Sequence, residues 1–409
     1  MSAALAGIRV LDLSRVLAGP WATQTLGDLG AEIIKIERPG VGDDTRTWGP
    51  PDVRDAGYSA YYASTNRNKR SVAIDMAVPA GREVLLELAQ VSDVLVENFK
   101  VGSAARHGLD YTTLGKLNPR LIYCSITGFG QTGPYAPRAG YDAMIQGMGG
   151  LMSITGKRSD EPGSSPQKVG VAVVDLTTGL YAAIAILAAL VQRGRTGSGQ
   201  YIDLSLLDVS VAMLANQGMN FLATGVAPER PGNAHPSIVP YQDFPTQDGW
   251  IMLAIGNDGQ FARFCRCAER EAWSSDPRFV TNQQRVVNRA LLVPLIAQIM
   301  KLRTTRAWLG VLEAAGVPSG PINNIAEVFA DPQVAARGLR VEIPAAPVSA
   351  TAPGRTVPSI ASPLRLSASP VNYRLPPPAL GAHTREVLAE ILGLSGAQLD
   401  ALAQQGAIA

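Results

Sequence analysis

A single carboxylate, Asp175, interrupts the apolar stretch KVGVAVVDLTTGLYAAIAILAAL, which covers residues 168–190. No lysine or arginine lies between Val169 and Gln192 to neutralise its charge. One interpretation is structural, because an aspartate that precedes a helix accepts a hydrogen bond from an unpaired N–H of the first turn. The other is chemical, because a carboxylate can act as a nucleophile and carry a covalent intermediate. The residue types alone leave both interpretations open.

The motifs of several other enzyme classes are missing from the chain. The turn SRVLAGPWA after the first apolar segment lacks G-x-G-x-x-G, and Pro20 stands where a phosphate-binding glycine would be needed. Neither G-x-x-x-x-G-K-[ST] nor G-x-S-x-G occurs. The sequence therefore disfavours a nicotinamide enzyme, a nucleoside-triphosphate enzyme and an α/β-hydrolase. The histidines that could serve as a base are His107, His235 and His383.

Basic residues form a second candidate group, since several of them follow the ends of predicted strands. They are Arg38, Arg67, Lys69, Arg70, Lys100, Arg106 and Arg138. Each one alone is typical of a solvated surface charge. Together they predict a site for phosphates, and Phe99 is available to pack against an apolar or aromatic part of a ligand.

Composition limits the class of protein. The chain has 409 residues, of which 46% are hydrophobic and 17% charged, so it can bury a large core. A formal net charge of +2 argues against a nucleic-acid binder that works by massed positive charge. Cys124, Cys265 and Cys267 are too few for a disulfide framework or a zinc site, which favours a reduced, cytoplasmic protein without a metal. The start lacks the features of a signal peptide, and the apolar run 180–191 is too short to span a bilayer, which predicts a protein without membrane contact.

The elements that must position these residues alternate between strands and helices. The short apolar segments predicted as strands are 8–13, 31–37, 93–98, 120–127 and 169–174. The predicted helices between and after them cover WATQTLGDLG, residues 80–90 and residues 176–190. Strands this short and apolar, separated by helices, indicate an α/β fold with a Rossmann-like parallel sheet covered on both faces. Asp175 would then lie where the last strand meets its helix, at the edge where open α/β sheets bind ligands.

Changes in composition divide the chain into three parts. Residues 1–222 form the predicted large domain, and a linker rich in turn formers begins a smaller α/β domain at 223–317. A proline-rich segment and two short helices follow within 318–409, and we expect this part to return to the large domain.

Motifs along nearly the whole chain resemble the class III CoA-transferase family (CaiB/BaiF type). They include LAGIRVLDLSRVLAGP, LGDLGAEIIKIERPGVGDDTR, NRNKRSVAIDM, DVLVENFKVGSAARHGL, GYDAMIQGMGGLMSITG, VDLTTGLYAAIAILAAL and RTGSGQYIDLSLLD. The resemblance implies a CoA-transferase in which Asp175 attacks an acyl-CoA thioester. It implies aspartyl anhydride and aspartyl-CoA thioester intermediates, with coenzyme A thioesters and carboxylic acids as substrates and no tightly bound cofactor or metal. It also implies an interlocked homodimer.

The resemblance carries family positions over to named residues of this chain. The implied CoA contacts are Val16, Arg38, Ile74, Asn98, Phe99, Arg106 and Arg138. The residues implied to line the reaction centre are Leu17, Tyr61, Tyr141 and Asp142, and Asp142 has the alternative role of capping the helix that begins AMIQGMGG.

Departures from individual family members refine the expected substrate. Formyl-CoA transferase carries a glutamine where Leu17 stands and has a tetraglycine loop that this chain lacks, which argues against oxalate–formate exchange. The C-terminal half is similar to members that use succinyl-CoA and dicarboxylates, through GNAHPSIVPYQDFPTQDG and IGNDGQFARF. The alternative is an α-methylacyl-CoA racemase, which shares the fold. It is the weaker interpretation, because AGYDAMIQG has no histidine for a proton relay.

Overall fold

The computed structural model describes residues 3–54, 56–345 and 355–409. In chain order its strands are β1 (Arg9–Asp12), β2 (Glu32–Glu37), β3 (Lys69–Ala73), β4 (Val94–Glu97), β5 (Ile122–Thr127), β6 (Tyr201–Ser205), β7 (Tyr241–Pro245), β8 (Trp250–Ala254), β9 (Ser319–Pro321), β10 (Arg340–Ala345) and β11 (Arg355–Ile360). The helices are α1 (Ala18–Asp28), α2 (Ala60–Ala63), α3 (Pro79–Gln90), α4 (Ser103–Arg106), α5 (Tyr111–Leu117), α6 (Asp142–Met148), α7 (Val173–Thr196), α8 (Leu206–Met213), α9 (Ala215–Thr224), α10 (Asp258–Cys267), α11 (Asn282–Val287), α12 (Arg289–Met300), α13 (Thr305–Ala314), α14 (Ile325–Ala330), α15 (Pro332–Ala336), α16 (Thr384–Leu392) and α17 (Gly396–Gln404).

Strands β1 to β6 pair into one parallel sheet in the order β3-β2-β1-β4-β5-β6 within the described residues. The chain fills the sheet outward from β1 in one direction as far as β3, then crosses back to β4 beside β1. The strand order therefore reverses between β1 and β4, and open α/β sheets bind ligands at the carboxyl ends of the strands at such a point. This topology confirms the predicted α/β class and the Rossmann-like sheet.

Both faces of this sheet are buried, which is why its strands are continuously apolar. Along β1, Leu11 points into one core cluster and Val10 into the other, because side chains alternate across a strand. Helix α3 and the C-terminal helix α16 contribute to the cluster around Leu11. Helices α1 and α7 contribute to the cluster around Val10. The two helical layers hold the carboxyl ends of the strands in place.

The segment around Asp175 differs from its prediction. Residues 169–172 form no strand, and α7 begins at Val173, so the predicted fifth strand is wrong. A run of valines and small residues fits a short buried strand or the first turn of a helix, and periodicity does not separate the two. The place expected for that strand in the sheet is taken by β6, which pairs with β5.

Helix α7 is also longer than its prediction. At 24 residues and a mean hydropathy of 1.9 over its most apolar window, it is long and apolar enough to cross a membrane by length and composition alone. The prediction concerned only the apolar run 180–191, and a helix buried in a protein core can pass the same test of length and composition. One of its faces, including Ala182, Ile186 and Ala189, is buried in the core cluster around Val10.

Contacts divide the chain into two units. The first comprises Met1–Leu151, Val169–Ala223 and Gln333–Ala409, and the second comprises Met152–Lys168 and Thr224–Pro332. In the second unit β7, β8 and β9 form an antiparallel sheet, and Phe261, Phe264 and Trp308 lie in its core. By these contacts the chain returns to the first unit at Gln333, whereas the sequence suggested a return at 318. Residues 346–354 of this C-terminal part lie outside the described residues.

Candidate active site

Asp175 lies in the first turn of α7, as the third residue of that helix. Its side chain is half-buried and makes no capping hydrogen bond, so the interpretation of Asp175 as the helix cap is wrong. Burial, followed by the negative charge of Asp142, raises the pKa of the Asp175 carboxyl to about 7. A carboxylate with this pKa is ionised in a large part of the population at neutral pH and is more basic than an ordinary aspartate.

Asp142 supplies the cap that Asp175 does not. One oxygen, Oδ1, accepts hydrogen bonds from the backbone N–H of Val174 at 2.9 Å and of Asp175 at 3.3 Å. The other, Oδ2, accepts a hydrogen bond of 2.7 Å from the side chain of Gln146. Asp142 is itself the first residue of α6, whose own N-cap position is held by Tyr141, so the predicted role of Asp142 as the cap of that helix is wrong.

The loop after β1 lies at the reversal point of the sheet and has an unusual backbone. Val16 has a φ of 69°, a left-handed conformation that a β-branched residue rarely adopts. Its N–H donates to both carboxylate oxygens of Asp43 at 3.3 Å, and Asp43 is paired with the buried amine of Lys35 at 3.0 Å. Burial opposes ionisation of Asp43, but Lys35 and hydrogen bonds from Thr45 outweigh it and lower its pKa to about 2. A permanently charged buried pair therefore fixes the turn at Val16.

Asn98 joins this loop to the end of β4. Its Oδ1 accepts a hydrogen bond from the N–H of Arg15 at 2.9 Å, and its Nδ2 donates to the carbonyl of Arg15 at 2.7 Å. Both polar groups of the Asn98 side chain thus form hydrogen bonds with the backbone of Arg15. The loops from β1 and β4, which come from the two sides of the reversal point, are held together by this pair of bonds.

A cavity of about 310 Å³ opens at this edge of the sheet, and Asp175 lines it. We name it the Asp175 cavity. Of the residues that the sequence singled out, the cavity is also lined by Val16, Leu17, Asn98, Phe99, Lys100, Arg138 and Tyr141. Its charged lining residues, besides Asp175, are Arg15, Asp44, Lys100 and Arg138. The guanidinium of Arg138 stacks on the rings of Tyr135 and Phe129, at 4.6 and 5.1 Å from their centroids.

A second cavity of about 440 Å³, here the Arg38 cavity, adjoins the first. Arg38 and Ile74 line it, and Arg15, Asp44 and Phe99 line both cavities. The shared residues make the two cavities neighbours. The exposed Arg38 lines one of these cavities, and Asp175 lines the other.

Three of the site residues implied by the family resemblance line neither cavity. The exposed side chain of Arg106 donates to the hydroxyl of Ser103 at 2.7 Å. Tyr61 packs edge-on against Trp48, and burial together with the charges of Asp175, Asp142 and Asp43 raises its pKa to about 12. Its phenol is therefore neutral and lies close enough to sense the Asp175 carboxylate. Asp142, the third, accepts hydrogen bonds from the backbone of α7.

Part of the predicted basic group is buried in ion pairs rather than exposed. Arg67 forms an ion pair with Asp28 at 2.6 Å, and Lys69 with Asp12 at 3.1 Å, both among fully or almost fully buried side chains. Arg70 contacts Glu32, Glu386 and Glu390. The prediction that these residues belong to a phosphate site is therefore wrong, since their charges are neutralised within the fold.

Sequence reasoning missed Arg15, Asp44 and Gln146. Arg15 and Asp44 lie in polar loops after β1 and β2, and parallel strands end at the same edge of a sheet. Their position after these strands could therefore have predicted them as site residues. Gln146 gave no signal, because a lone glutamine in an apolar helix is not distinctive. Among the described residues, no group of three or more His, Cys, Asp or Glu side chains is arranged to hold a metal ion.

A half-buried carboxylate that has no ion-pair partner among the described residues and lines a cavity is suited to nucleophilic attack on a bound ligand. Comparison with known proteins identifies the family of this chain. The profile of CoA-transferase family III matches residues 5–384. The chain belongs to CoA-transferase family III.

Relatives of this family III CoA-transferase match along its whole length. It is 51% identical over 391 residues to the succinate–glutarate CoA-transferase of Agrobacterium fabrum, covering 95% of each chain. It is 45% identical over 405 residues to the succinyl-CoA:glutarate CoA-transferase of Homo sapiens, covering 99% of this chain and 90% of the relative. Among solved structures, a CAIB/BAIF family protein from Brucella suis superimposes with a TM-score of 0.83 at 48% identity, covering 96% of this chain and 100% of that one. The protein is accordingly an enzyme that transfers CoA and uses CoA thioesters as substrates.

Proposed function

We propose that this CoA-transferase moves CoA from succinyl-CoA to a dicarboxylic acid, with glutarate as the first acceptor to test. Two relatives that match almost the whole chain are named for succinate or succinyl-CoA and glutarate. The observation that carries the proposal is the Asp175 carboxylate, which lines a cavity at the reversal point of the sheet. It supplies the nucleophile that CoA transfer without an external energy source requires.

In the proposed mechanism each step exchanges one anion for another. The Asp175 carboxylate attacks the thioester carbonyl of succinyl-CoA, which forms a mixed anhydride and releases the CoA thiolate. The thiolate attacks the aspartyl carbonyl, which forms an aspartyl-CoA thioester and releases succinate. The acceptor carboxylate then attacks this thioester, which gives a second anhydride and the thiolate. Attack of the thiolate on the acceptor's acyl carbon yields the new acyl-CoA and restores the Asp175 carboxylate.

The two neighbouring cavities fit an extended thioester. We propose that the Arg38 cavity takes the nucleotide end of CoA, with Arg38 near the phosphates and Ile74 against the apolar part. The pantetheine arm would pass Phe99 and Val16 to bring the sulfur to Asp175. In this arrangement Asn98 supports CoA indirectly, through the backbone of Arg15. Arg106 would reach CoA only from outside both cavities.

Two further expectations belong to the proposal. A homodimer is supported by apolar side chains exposed on α7 and α9, such as Ile184 at 60% and Leu222 at 74%. The cytoplasmic location and the absence of membrane contact stay predictions from the composition of the chain.

The substrate proposal is tested by incubating the purified enzyme with succinyl-CoA and a panel of monocarboxylic and dicarboxylic acids. We expect a new acyl-CoA with glutarate and related dicarboxylates, and little with monocarboxylates of the same length. Asp175→Ala should still bind CoA but lose transfer by about 10⁴-fold or more, because it removes the covalent nucleophile. Liquid chromatography of the CoA esters measures both results.

Asp208 provides a matched control, because it is the third residue of α8 as Asp175 is of α7, but is exposed and lines neither cavity. Asp208→Asn should keep full activity. Transfer that persists in Asp175→Ala would contradict the nucleophile. Transfer that occurs only with monocarboxylates would contradict the substrate class while leaving the nucleophile intact.

A further inference from the structure

The start of α7 has an arrangement that bears on how Asp175 reacts. A helix leaves the N–H groups of its first turn without partners inside the helix, and an acidic side chain in that turn is normally stabilised by them. Here the N–H groups of Val174 and Asp175 both point to Oδ1 of Asp142. The anion that occupies the positive end of α7 is therefore Asp142, from a different helix.

Asp142 is held firmly in this position. Its second oxygen accepts the 2.7 Å hydrogen bond from Nε2 of Gln146, whose side chain is fully buried. The Oε1 of the same Gln146 accepts a hydrogen bond of 2.9 Å from the N–H of Val169. The Gln146 amide is thereby fixed at both ends, so each oxygen of Asp142 has a defined partner.

The Asp175 carboxylate is left without a hydrogen-bond donor among the described residues. The charged or titratable groups around it are Asp142 on α6, the neutral phenol of Tyr61 on α2, and Arg15, Asp44, Lys100 and Arg138 in the cavity wall. From α1 and α8 the cavity receives Ala18 and Leu206, which are apolar. Burial and the Asp142 charge raise the pKa of Asp175, and nothing donates to its carboxylate to lower it again.

We propose that Asp142 is a positioning residue that takes the free N–H groups of α7 and so leaves Asp175 a basic nucleophile whose carboxylate those N–H groups do not stabilise. The inference rests on the proposed function of Asp175. This arrangement should speed the attack by Asp175, because nucleophilicity generally rises with basicity. A carboxylate stabilised by two N–H groups would be less basic and would attack more slowly. Asp142 acts on the reaction through the helix backbone and its own charge.

The test compares Asp142→Asn with the wild-type enzyme in single-turnover reactions with succinyl-CoA and hydroxylamine, which traps the activated Asp175 as a hydroxamate. Asparagine keeps an oxygen that can accept from the N–H groups but removes the charge. We expect the pH at which trapping reaches half its maximal rate to fall by at least about one unit from the value near 7 that the wild-type pKa predicts. We also expect the maximal rate to fall about three- to tenfold, with the KM for succinyl-CoA unchanged.

Asp142→Glu is the conservative variant and should keep the midpoint near the wild-type value, because it retains a carboxylate. Asp208→Asn makes the same change at an exposed residue of α8 that lines neither cavity, and it should leave both rate and midpoint unchanged. If Asp142→Asn does not fold, Gln146→Met tests the same arrangement. It releases Asp142 without altering either carboxylate and should lower the maximal rate at unchanged KM.

Some outcomes would overturn the inference. An unmoved midpoint in Asp142→Asn would do so, as would an increase confined to KM, because the latter indicates direct contact with the substrate. A Gln146→Met variant with wild-type rates would also overturn it. Failure of the wild-type enzyme to form any hydroxamate at Asp175 would instead remove the proposed nucleophile, so the two failures are distinguishable.

Discussion

Asp175 lowers the stability of the native protein at neutral pH. Its pKa in the native structure is about 7. An aspartate in an unfolded chain has a pKa of about 3.9. Between these two values the native state binds a proton that the unfolded state has released, so the free energy of unfolding decreases as the pH rises. Above pH 7 the full cost of holding the carboxylate ionised is present.

Asp175→Asn should therefore stabilise the protein, because it removes the ionisable group and keeps the shape of the side chain. We expect its melting temperature to exceed that of the wild type, with a larger difference at pH 8 than at pH 5. The gain at pH 8 should be on the order of 4 kcal/mol. Calorimetry or thermal unfolding at the two pH values measures it. A difference independent of pH would show that the Asp175 pKa is not raised in the native state.

The sequence identified Asp175 because a lone carboxylate in an apolar stretch is visible locally. It did not reveal that Asp142 caps α7, because that contact joins residues 33 positions apart. The burial of Lys69 escaped it for the same reason, since its partner Asp12 is 57 positions away. Side chains that a fold pairs over long distances look like ordinary surface charges in the sequence.

Helices α1 and α7 are in close contact at Gly179, one turn after Asp175. A Cβ at Gly179 would lie 2.6 Å from the carbonyl oxygen of Ala18 and 3.0 Å from the ring of Trp21. Ala18 is the first residue of α1 and lines the Asp175 cavity. The spacing of the two helices thus sets how closely Asp175 approaches the loop at Val16.

Gly179→Ala should push α1 and α7 apart, because the obstructing atom belongs to the backbone and cannot turn away. We expect a loss of stability of about 1–3 kcal/mol and a fall in the rate of transfer. Gly194→Ala is the matched control, since Gly194 is in the same helix with no atom within 4 Å of its would-be Cβ. That change should stabilise slightly through helix propensity. Denaturant unfolding and the transfer assay measure both, and equal effects of the two changes would contradict the close contact.

At the level of elements, the sequence predicts short apolar strands that are flanked by turns. It also predicts helices whose apolar residues recur with a regular period. The predicted strands at 8–13, 31–37, 93–98 and 120–127 contain β1, β2, β4 and β5. Strand β3 was missed because KRSVA begins with two charged residues, of which Lys69 is buried and Arg70 is partly buried. Strand β6 was missed because YIDLS carries an aspartate and is only partly buried.

At the level of the whole molecule, composition indicated a second unit but not its complete membership. The segment Met152–Lys168 belongs to that unit, although it lies between two parts of the first. Such a return follows from contacts between distant segments, which local patterns do not encode. Another global feature is a set of apolar side chains exposed on α7, α8 and α9. They are Leu180, Tyr181, Ile184, Val191, Val211, Met219, Phe221 and Leu222.

A monomer would leave this apolar set in water, and exposed surfaces of this kind are typical of interfaces between proteins. We therefore expect the enzyme to have twice the chain mass of 43.1 kDa in light scattering. Ile184→Glu, on the exposed face of α7, should increase the monomer fraction at micromolar concentration, because a charge would be buried in the interface. Gln192→Glu adds the same charge at an exposed polar position of α7 and should leave the dimer intact. A wild-type enzyme that is monomeric and fully active would contradict the dimer and require another partner for this surface.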